Sequence, residues 1–328
     1  MLPTTMKTVE MREFGDADVL NVGSRPLPTF KANEVLIKVE AVGVNGPDLV
    51  QRRGHYPPPA GASDLLGLEV SGSIVACGQD VQRWKTSDLI CALTNGGGYA
   101  EYVAVEAHHC MAIPDGVNSI DAAGLPETFF TVWSNCFYQL SYPKNGIFLA
   151  HGGAGGIGST AIQIGAALGL RVFTTCATDD DAEYCLSIGA EKAVNYHTED
   201  FVESVRDAGG ANLILDTIGG DYIARNIKAA THDARIVQLA FNKGSKVELN
   251  LMPVMLKRLV YTGSTLRSRP EAFKTSIAAS LESVVWPLLA NKSINTNTYT
   301  VMPFEKANDA HKLMESALHR GKILLVPN

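Results

Sequence analysis

Apolar positions along the chain follow two rhythms. In the first third they come in short runs, EVLIKVEAVGVN (34–45), EVSGSIVACG (69–78), DLICAL (88–93) and AEYVAVEAHHCMAI (100–113), broken by Gly, Pro and Asp. Short runs at close spacing predict the strands of a small barrel-like or sandwich domain. The segment 54-GHYPPPAGAS-63 reads as a loop, because its prolines can neither continue a helix nor donate within a central strand. From 146 onward the rhythm alternates. GIFLAH (146–151), RVFTTCA (171–177), KAVNY (192–196), NLILDT (212–217) and RIVQLA (235–240) read as strands. Between them, STAIQIGAALGL (159–170) and segments near 180–188, 199–208 and 222–230 have the helical period. Strands alternating with helices predict a parallel, doubly wound sheet. A helix near 270–290 and a late strand KILLV (322–326) close the chain, and no internal repeat is present.

Composition fits this picture. A chain of 328 residues, 46% hydrophobic and 19% charged, suits two globular domains. A net charge of -6 offers no basic field to a nucleic-acid backbone. No apolar run approaches the roughly 18 residues of a membrane span, and MLPTTMKTVEMREFG lacks the apolar block of a secretion signal. Six cysteines are scattered without a CxxC pair, so free thiols and a cytoplasmic location are expected.

The stretch 149-LAHGGAGGIGSTAIQIGAALGL-170 carries the strongest chemistry. Glycines at 153, 155 and 158 form GxGxxG between a predicted strand and a predicted helix. In that context the first glycine permits a tight turn, the second admits a pyrophosphate against the backbone, and the third lets helix and strand pack closely. The N–H groups at the helix start then face the phosphates. A dinucleotide is therefore expected along Gly153, Ala154, Gly155, Gly156, Ile157 and Gly158. After the second strand come Thr178 and three aspartates, Asp179–Asp181, which either cap the next helix or contact the adenosine ribose.

Several runs resemble one family. The stretch 45-NGPDLVQRRGHYPPPAGASDLLGLEVSG-72, with 125-LPETFFTVW-133, 212-NLILDTIGG-220, 263-GSTLRSR-269 and 321-GKILL-325, is similar to the zinc-independent quinone oxidoreductases of the medium-chain dehydrogenase/reductase superfamily, nearest the p53-inducible group. The resemblance implies a GroES-like β-rich domain and a Rossmann domain, with a cleft between them and a homodimer. It places the GroES-like part at 1–125, the Rossmann domain at 126–267 and a returning segment at 268–328. It also implies NADPH, held by Thr131, the glycine turn, Thr178, Tyr196, Leu239, Ala240, Phe241 and Leu266. NADH is the alternative, because Asp181 and His197 stand where the family carries basic residues.

The superfamily's alcohol dehydrogenases bind a catalytic zinc. Where their first cysteine and their Gly-His-Glu lie, this chain has Asn45 and Gly67-Leu68-Glu69. Asparagine and leucine do not replace thiolate and imidazole, and 91-CALTNGGGYAEY-102 carries no four-cysteine lobe, so no metal is expected. Without a Lewis acid the acceptor must already be electrophilic, which points to a quinone or a conjugated carbonyl. The resemblance places Tyr56 near cofactor and substrate as the expected donor to the acceptor oxygen, the alternative being a loop tyrosine packed on prolines; Asn45 either orients acceptor or cofactor or is a strand-end residue that satisfies backbone groups. An enoyl or 2-alkenal reductase, and a nucleotide-binding protein of little activity, stay open as alternatives. Asp48 and Arg53 are read as an ordinary ion pair, Glu127 and His151 as structural, Phe129 and Phe130 as core, Cys176 as inert, and His108-His109 as a surface or strand-end pair.

Overall fold

The computed structural model describes residues 2–327. Fifteen strands run in chain order: β1 (Thr5–Met11), β2 (Leu20–Pro26), β3 (Glu34–Gly43), β4 (Glu69–Cys77), β5 (Leu89–Leu93), β6 (Tyr102–Glu106), β7 (Cys110–Ala112), β8 (Ile147–His151), β9 (Arg171–Cys176), β10 (Lys192–Asn195), β11 (Ala211–Asp216), β12 (Ala230–Gln238), β13 (Val260–Gly263), β14 (Thr298–Pro303) and β15 (Lys322–Val326). They fall into two compact units, one formed by 1–130, 267–292 and 296–328, the other by 131–266 and 293–295.

The first unit holds an antiparallel hairpin, β1–β2, and a seven-stranded sheet ordered β14-β15-β3-β4-β5-β7, with β6 also paired to β3. The alternating run at 34–45 becomes β3, which buries Val35, Ile37, Val39 and Val42 against Val70, Ile74, Ile90, Ile323 and Leu325. Each such side chain stabilises the fold by roughly 1.5–3 kcal/mol. β3 stops at Gly43, and a short helix, Gly46–Arg52, follows with Pro47 in its first turn, where a missing N–H costs nothing. The run 100–113 is not one strand: a 3-10 turn, Ala107–His109, divides it and carries both histidines. His109 is buried there rather than at the surface. The helix expected near 270–290 is Glu271–Ser280, a π turn at Leu281–Val285, and Trp286–Ala290.

The second unit is a six-stranded sheet ordered β10-β9-β8-β11-β12-β13, parallel throughout. The alternation of strand and helix dictates this arrangement, since parallel neighbours need crossover helices. Asp179–Ser187, Phe201–Asp207 and Asp221–Ala229 supply three of them. Its core joins Ile147, Leu149, Phe173, Val194, Phe201, Ile214 and Ile236. Strand order reverses between β8 and β11, which opens a crevice beyond their carboxyl ends.

Candidate functional site

In the second unit, β8 ends at His151 and the glycine turn follows, leading into the helix Gly156–Ala167. The left-handed residue of this turn is Gly152, with φ 71°, not Gly153. Gly153 is needed for a different reason: a Cβ there would lie 2.2 Å from Thr174 Oγ1 on β9. At Gly158 a Cβ would meet Gly152 O at 2.1 Å, so this glycine lets the helix sit on the turn. Gly155 differs from both. The nearest atom to its Cβ would be Gly152 O at 3.7 Å, so the space beside it is open. The first helical hydrogen bond is Ser159 N–H to Gly155 O, 2.8 Å, and the N–H groups of Gly156, Ile157 and Gly158 precede it. Open space beside bare backbone at a helix N-terminus is the cradle a pyrophosphate requires.

His151 stiffens the turn from below. Its Nε2 donates to Asn226 Oδ1 at 2.7 Å, and Asn226 Nδ2 donates to Asp216 Oδ2 at 2.9 Å. Its Nδ1 then accepts from the Thr175 hydroxyl at 3.0 Å. Burial pulls the imidazole pKa below its ordinary value, which keeps the ring neutral and this direction of bonding fixed.

The other expected cofactor residues also lie in this unit. Thr178 caps the helix after β9, its hydroxyl oxygen accepting from Asp181 N–H at 3.1 Å. The aspartates are therefore not the cap; they occupy the first helical turn, where Asp179 Oδ1 accepts from Asn195 Nδ2 at 2.7 Å. Tyr196 and Phe241, after β10 and β12, are exposed at 41% and 46%. Leu239 and Ala240 are half-buried beyond β12, and Leu266 follows β13. Thr131 is buried, and its carbonyl accepts from Asn135 Nδ2 at 2.8 Å. Ser264 Oγ donates to Asn135 Oδ1 at 2.7 Å, which ties the segment after Thr131 to the loop after β13. Cys176 is buried, and its thiol is pushed up to about 11 by burial and by Asp181, consistent with an inert residue.

In the first unit, Asn45 begins the helix Gly46–Arg52 and is 2% exposed. Its Nδ2 donates to Glu69 Oε1 at 2.8 Å, and its Oδ1 accepts from Lys322 Nζ at 2.6 Å. Lys322 and Glu69 pair directly at 2.6 Å, and Glu69 Oε2 accepts from Glu127 N–H at 2.8 Å. A buried ammonium, carboxylate and amide thus form a closed triangle.

The expected Asp48–Arg53 pair does not form. Arg53 reaches Glu315 at 2.6 Å, while Asp48 turns inward. Its two oxygens accept from Asn45 N–H and Gly67 N–H, both at 2.9 Å. Burial raises its pKa to about 7 from 3.8, with Glu69 adding to the rise and Lys322 opposing it. A raised acid is ionised in the unfolded chain before the folded one. Its contribution to stability therefore falls as pH climbs from about 4 to about 7, by about 4 kcal/mol over the window. Chemical denaturation of the protein and of Asp48→Asn across this window checks it: the difference in stability between them is expected to slope with pH, and a flat difference contradicts the assignment.

Tyr56 lies in the Pro-rich loop, half-buried, with its ring 5.5 Å from the Arg267 guanidinium. Its hydroxyl makes no hydrogen bond among the described residues. Burial lifts its pKa above the ordinary 10.0, Arg267 pulls it back, and Glu127 raises it. The phenol is thus protonated at neutral pH and able to donate. Arg267, Glu69 and Lys322 were not singled out as site residues from sequence. The signal was there, since Lys322 is a lone cation on an apolar strand and Arg267 sits in GSTLRSR, but their partners lie far away in the chain.

Comparison with known proteins agrees with this architecture. An alcohol dehydrogenase GroES-like domain model matches residues 31–115, and a zinc-binding dehydrogenase model matches 156–282. Human quinone oxidoreductase is 26% identical over 332 residues, with 98% of each chain covered. Among solved structures, a mycobacterial protein complexed with NADPH superposes with a TM-score of 0.86 at 25% identity, over 98% of this chain and 100% of that one. The CurK enoyl reductase superposes with a TM-score of 0.85 at 26% identity, over 99% and 100%. The GroES-like and zinc-binding dehydrogenase models, matched in order along one chain that also aligns end to end with quinone oxidoreductase, mean that this protein belongs to the medium-chain dehydrogenase/reductase superfamily.

Proposed function

We propose that this oxidoreductase passes hydride from NADPH to a quinone without zinc, as a member of the quinone oxidoreductases nearest the p53-inducible group. The observation that carries the metal-free reading is the Lys322 ammonium, bonded to both Glu69 and Asn45. The residues here do not suit a zinc ion: a cation already neutralises the carboxylate, and the neighbouring Asn45 and Leu68 offer neither thiolate nor imidazole. Among the described residues no group of three His, Cys, Asp or Glu side chains is placed to hold a metal.

The dinucleotide fits the glycine turn, with Gly155 admitting the pyrophosphate and the helix N-terminus opposing its charge. When bound, its nicotinamide supplies the hydride. The protein's own part is to hold the acceptor, exclude water and offer the Tyr56 phenol to the acceptor oxygen. Asn45 contributes through the one N–H whose contact, Gly43 O at 3.4 Å, is long. For the coenzyme, the mycobacterial relative favours NADPH, with Thr178 and Tyr196 as partners for its 2′-phosphate; three carboxylates at 179–181 oppose that choice. The enoyl reductase neighbour supports a second reading, reduction of a conjugated C=C bond.

The test is a titration of NADPH and NADH against the protein, followed by turnover with ortho-quinones and short enals after dialysis against a chelator. Retained quinone turnover supports the proposal. Faster turnover of enals favours the second reading, and tight binding without turnover of either leaves only a nucleotide-binding protein.

The same reading includes a homodimer. β13 is the edge of its sheet, with Val260 and Tyr261 47% and 43% exposed. Leu251, Met252, Met255 and Leu256, in the segment that leads into it, are more than 60% exposed. An apolar, unpaired edge is a template for a second copy. Light scattering is expected to return twice the monomer mass, and Met255→Glu with Val260→Lys to return the monomer. A monomeric native protein overturns this part. No helix among the described residues is long and apolar enough to cross a membrane.

A further inference from the structure

We propose that Arg267 forms, with Tyr56, the oxyanion site of the acceptor, and that it makes the site selective for ligands in which negative charge resides on oxygen. The inference rests on the hydride-transfer reading above. Its starting point is an anomaly of charge. Arg267 is 7% exposed, yet no carboxylate pairs with it among the described residues. Buried guanidinium groups are ordinarily paired, because leaving water costs several kcal/mol per ion.

The side chain is held by neutral acceptors instead. Nε and Nη2 both donate to Asn95 O, at 3.0 and 2.5 Å, and Nη1 donates to Gln51 Oε1 at 2.7 Å. Those bonds use three of five N–H groups and leave two. A second buried cation stands behind it. Lys274, 2% exposed, donates to Asn95 Oδ1 at 2.8 Å and to Arg267 O at 2.9 Å, again without a carboxylate pair among the described residues. Burial lowers the Lys274 pKa to about 8, Glu271 opposing and Arg267 assisting. Asp48 is the carboxylate whose field reaches Arg267, and its own raised pKa leaves it partly neutral at pH 7. Around Tyr56 the unit therefore sets the Arg267 guanidinium, bonded to no carboxylate among the described residues, against Glu127, whose field acts on the phenol in the opposite sense.

Neutral clamps on a cation fix its position while preserving its field, which is what a preorganised electrostatic site requires. In the proposed reaction a hydride and its electron pair bond to the acceptor, the nicotinamide is oxidised, and negative charge appears on the acceptor oxygen. Tyr56 donates to that oxygen, Arg267 carries its charge, and a proton from water then yields the hydroquinone. A neutral quinone meets the same groups with less gain, so the interaction acts on kcat more than on KM.

The experiment uses 4-nitrophenol, whose phenolate absorbs apart from the phenol, and the full-length protein. The native protein is expected to bind the phenolate at least about tenfold more tightly than the phenol, which lowers the bound ligand's apparent pKa by about one unit. Arg267→Met is expected to lose that preference, to lower quinone kcat about 100-fold and to leave NADPH affinity unchanged. Arg267→Lys, which keeps the charge, is expected to retain the phenolate preference in part. It also serves if the methionine variant fails to fold. Added guanidinium ion is expected to restore turnover to Arg267→Ala. Equal affinity of the native protein for phenol and phenolate overturns the proposal. So does a methionine variant that keeps its kcat. Phenolate selectivity in a native protein that reduces no quinone instead rejects the hydride-transfer reading and leaves the anion site standing.

Discussion

Replacing Gly155 by valine is expected to abolish dinucleotide binding while leaving the fold intact. A Cβ at this position meets nothing in the protein closer than Gly152 O at 3.7 Å, and the backbone there is extended with φ -73°, so the folded chain is expected to accommodate the valine. It fills the space that a pyrophosphate needs beside the N–H groups of 156–158. A rise in Kd of at least about 100-fold, or about 2.8 kcal/mol, is expected for NADPH and NADH alike. Gly158→Ala is the contrasting case. Its Cβ falls 2.1 Å from Gly152 O, backbone against backbone, and neither atom has room to move. A loss of about 3 kcal/mol of stability is expected there. Cofactor titration followed by fluorescence, with thermal unfolding of both variants, separates the two. If the valine variant binds NADPH normally, the phosphate cradle is misassigned; if the alanine variant is fully stable, the turn is not packed as described.

The second large effect is at Tyr56. Phenylalanine there removes one oxygen that makes no hydrogen bond among the described residues, so stability should change little. The phenol is the donor proposed for the developing oxyanion, and loss of such a donor costs about 100-fold in kcat. KM is expected to move much less, because the interaction strengthens only as charge develops. Steady-state kinetics with a quinone at saturating NADPH is the measurement. An unchanged kcat would mean that Arg267 and water suffice at the acceptor oxygen, and Tyr56 would lose its role.

Much of the architecture is readable without coordinates, for a physical reason. Strand and helix periods are local properties, so the succession from GIFLAH to RIVQLA carries the parallel sheet within it. The glycines at 153, 155 and 158 are likewise local, each reporting how closely backbone must approach something. Even so, the left-handed residue proved to be Gly152, because the tight turn starts one residue earlier than the motif. Short elements were harder. β13 has four residues, too few to show a period, and the β1–β2 hairpin turns through a 3-10 segment rather than an Asn-Gly type of turn. Around the candidate site the difficulty was distance. Arg267 grips Asn95 and Gln51 from 172 and 216 residues away, and Lys322 meets Asn45 across 277.

The sequence by itself determined the two-part β-rich and α/β organisation, the bare backbone at 152–158 and the missing thiolate and imidazole at 45 and 68. These follow from residue type and from neighbours a few positions apart. Only the tertiary structure decided which charges are buried and whom they meet: Asp48 with two backbone N–H groups instead of Arg53, Lys322 with Glu69 and Asn45, and Arg267 with neutral oxygens alone. The energy of a charge depends on the water it loses and the partners it gains, and both are set when distant strands close around it.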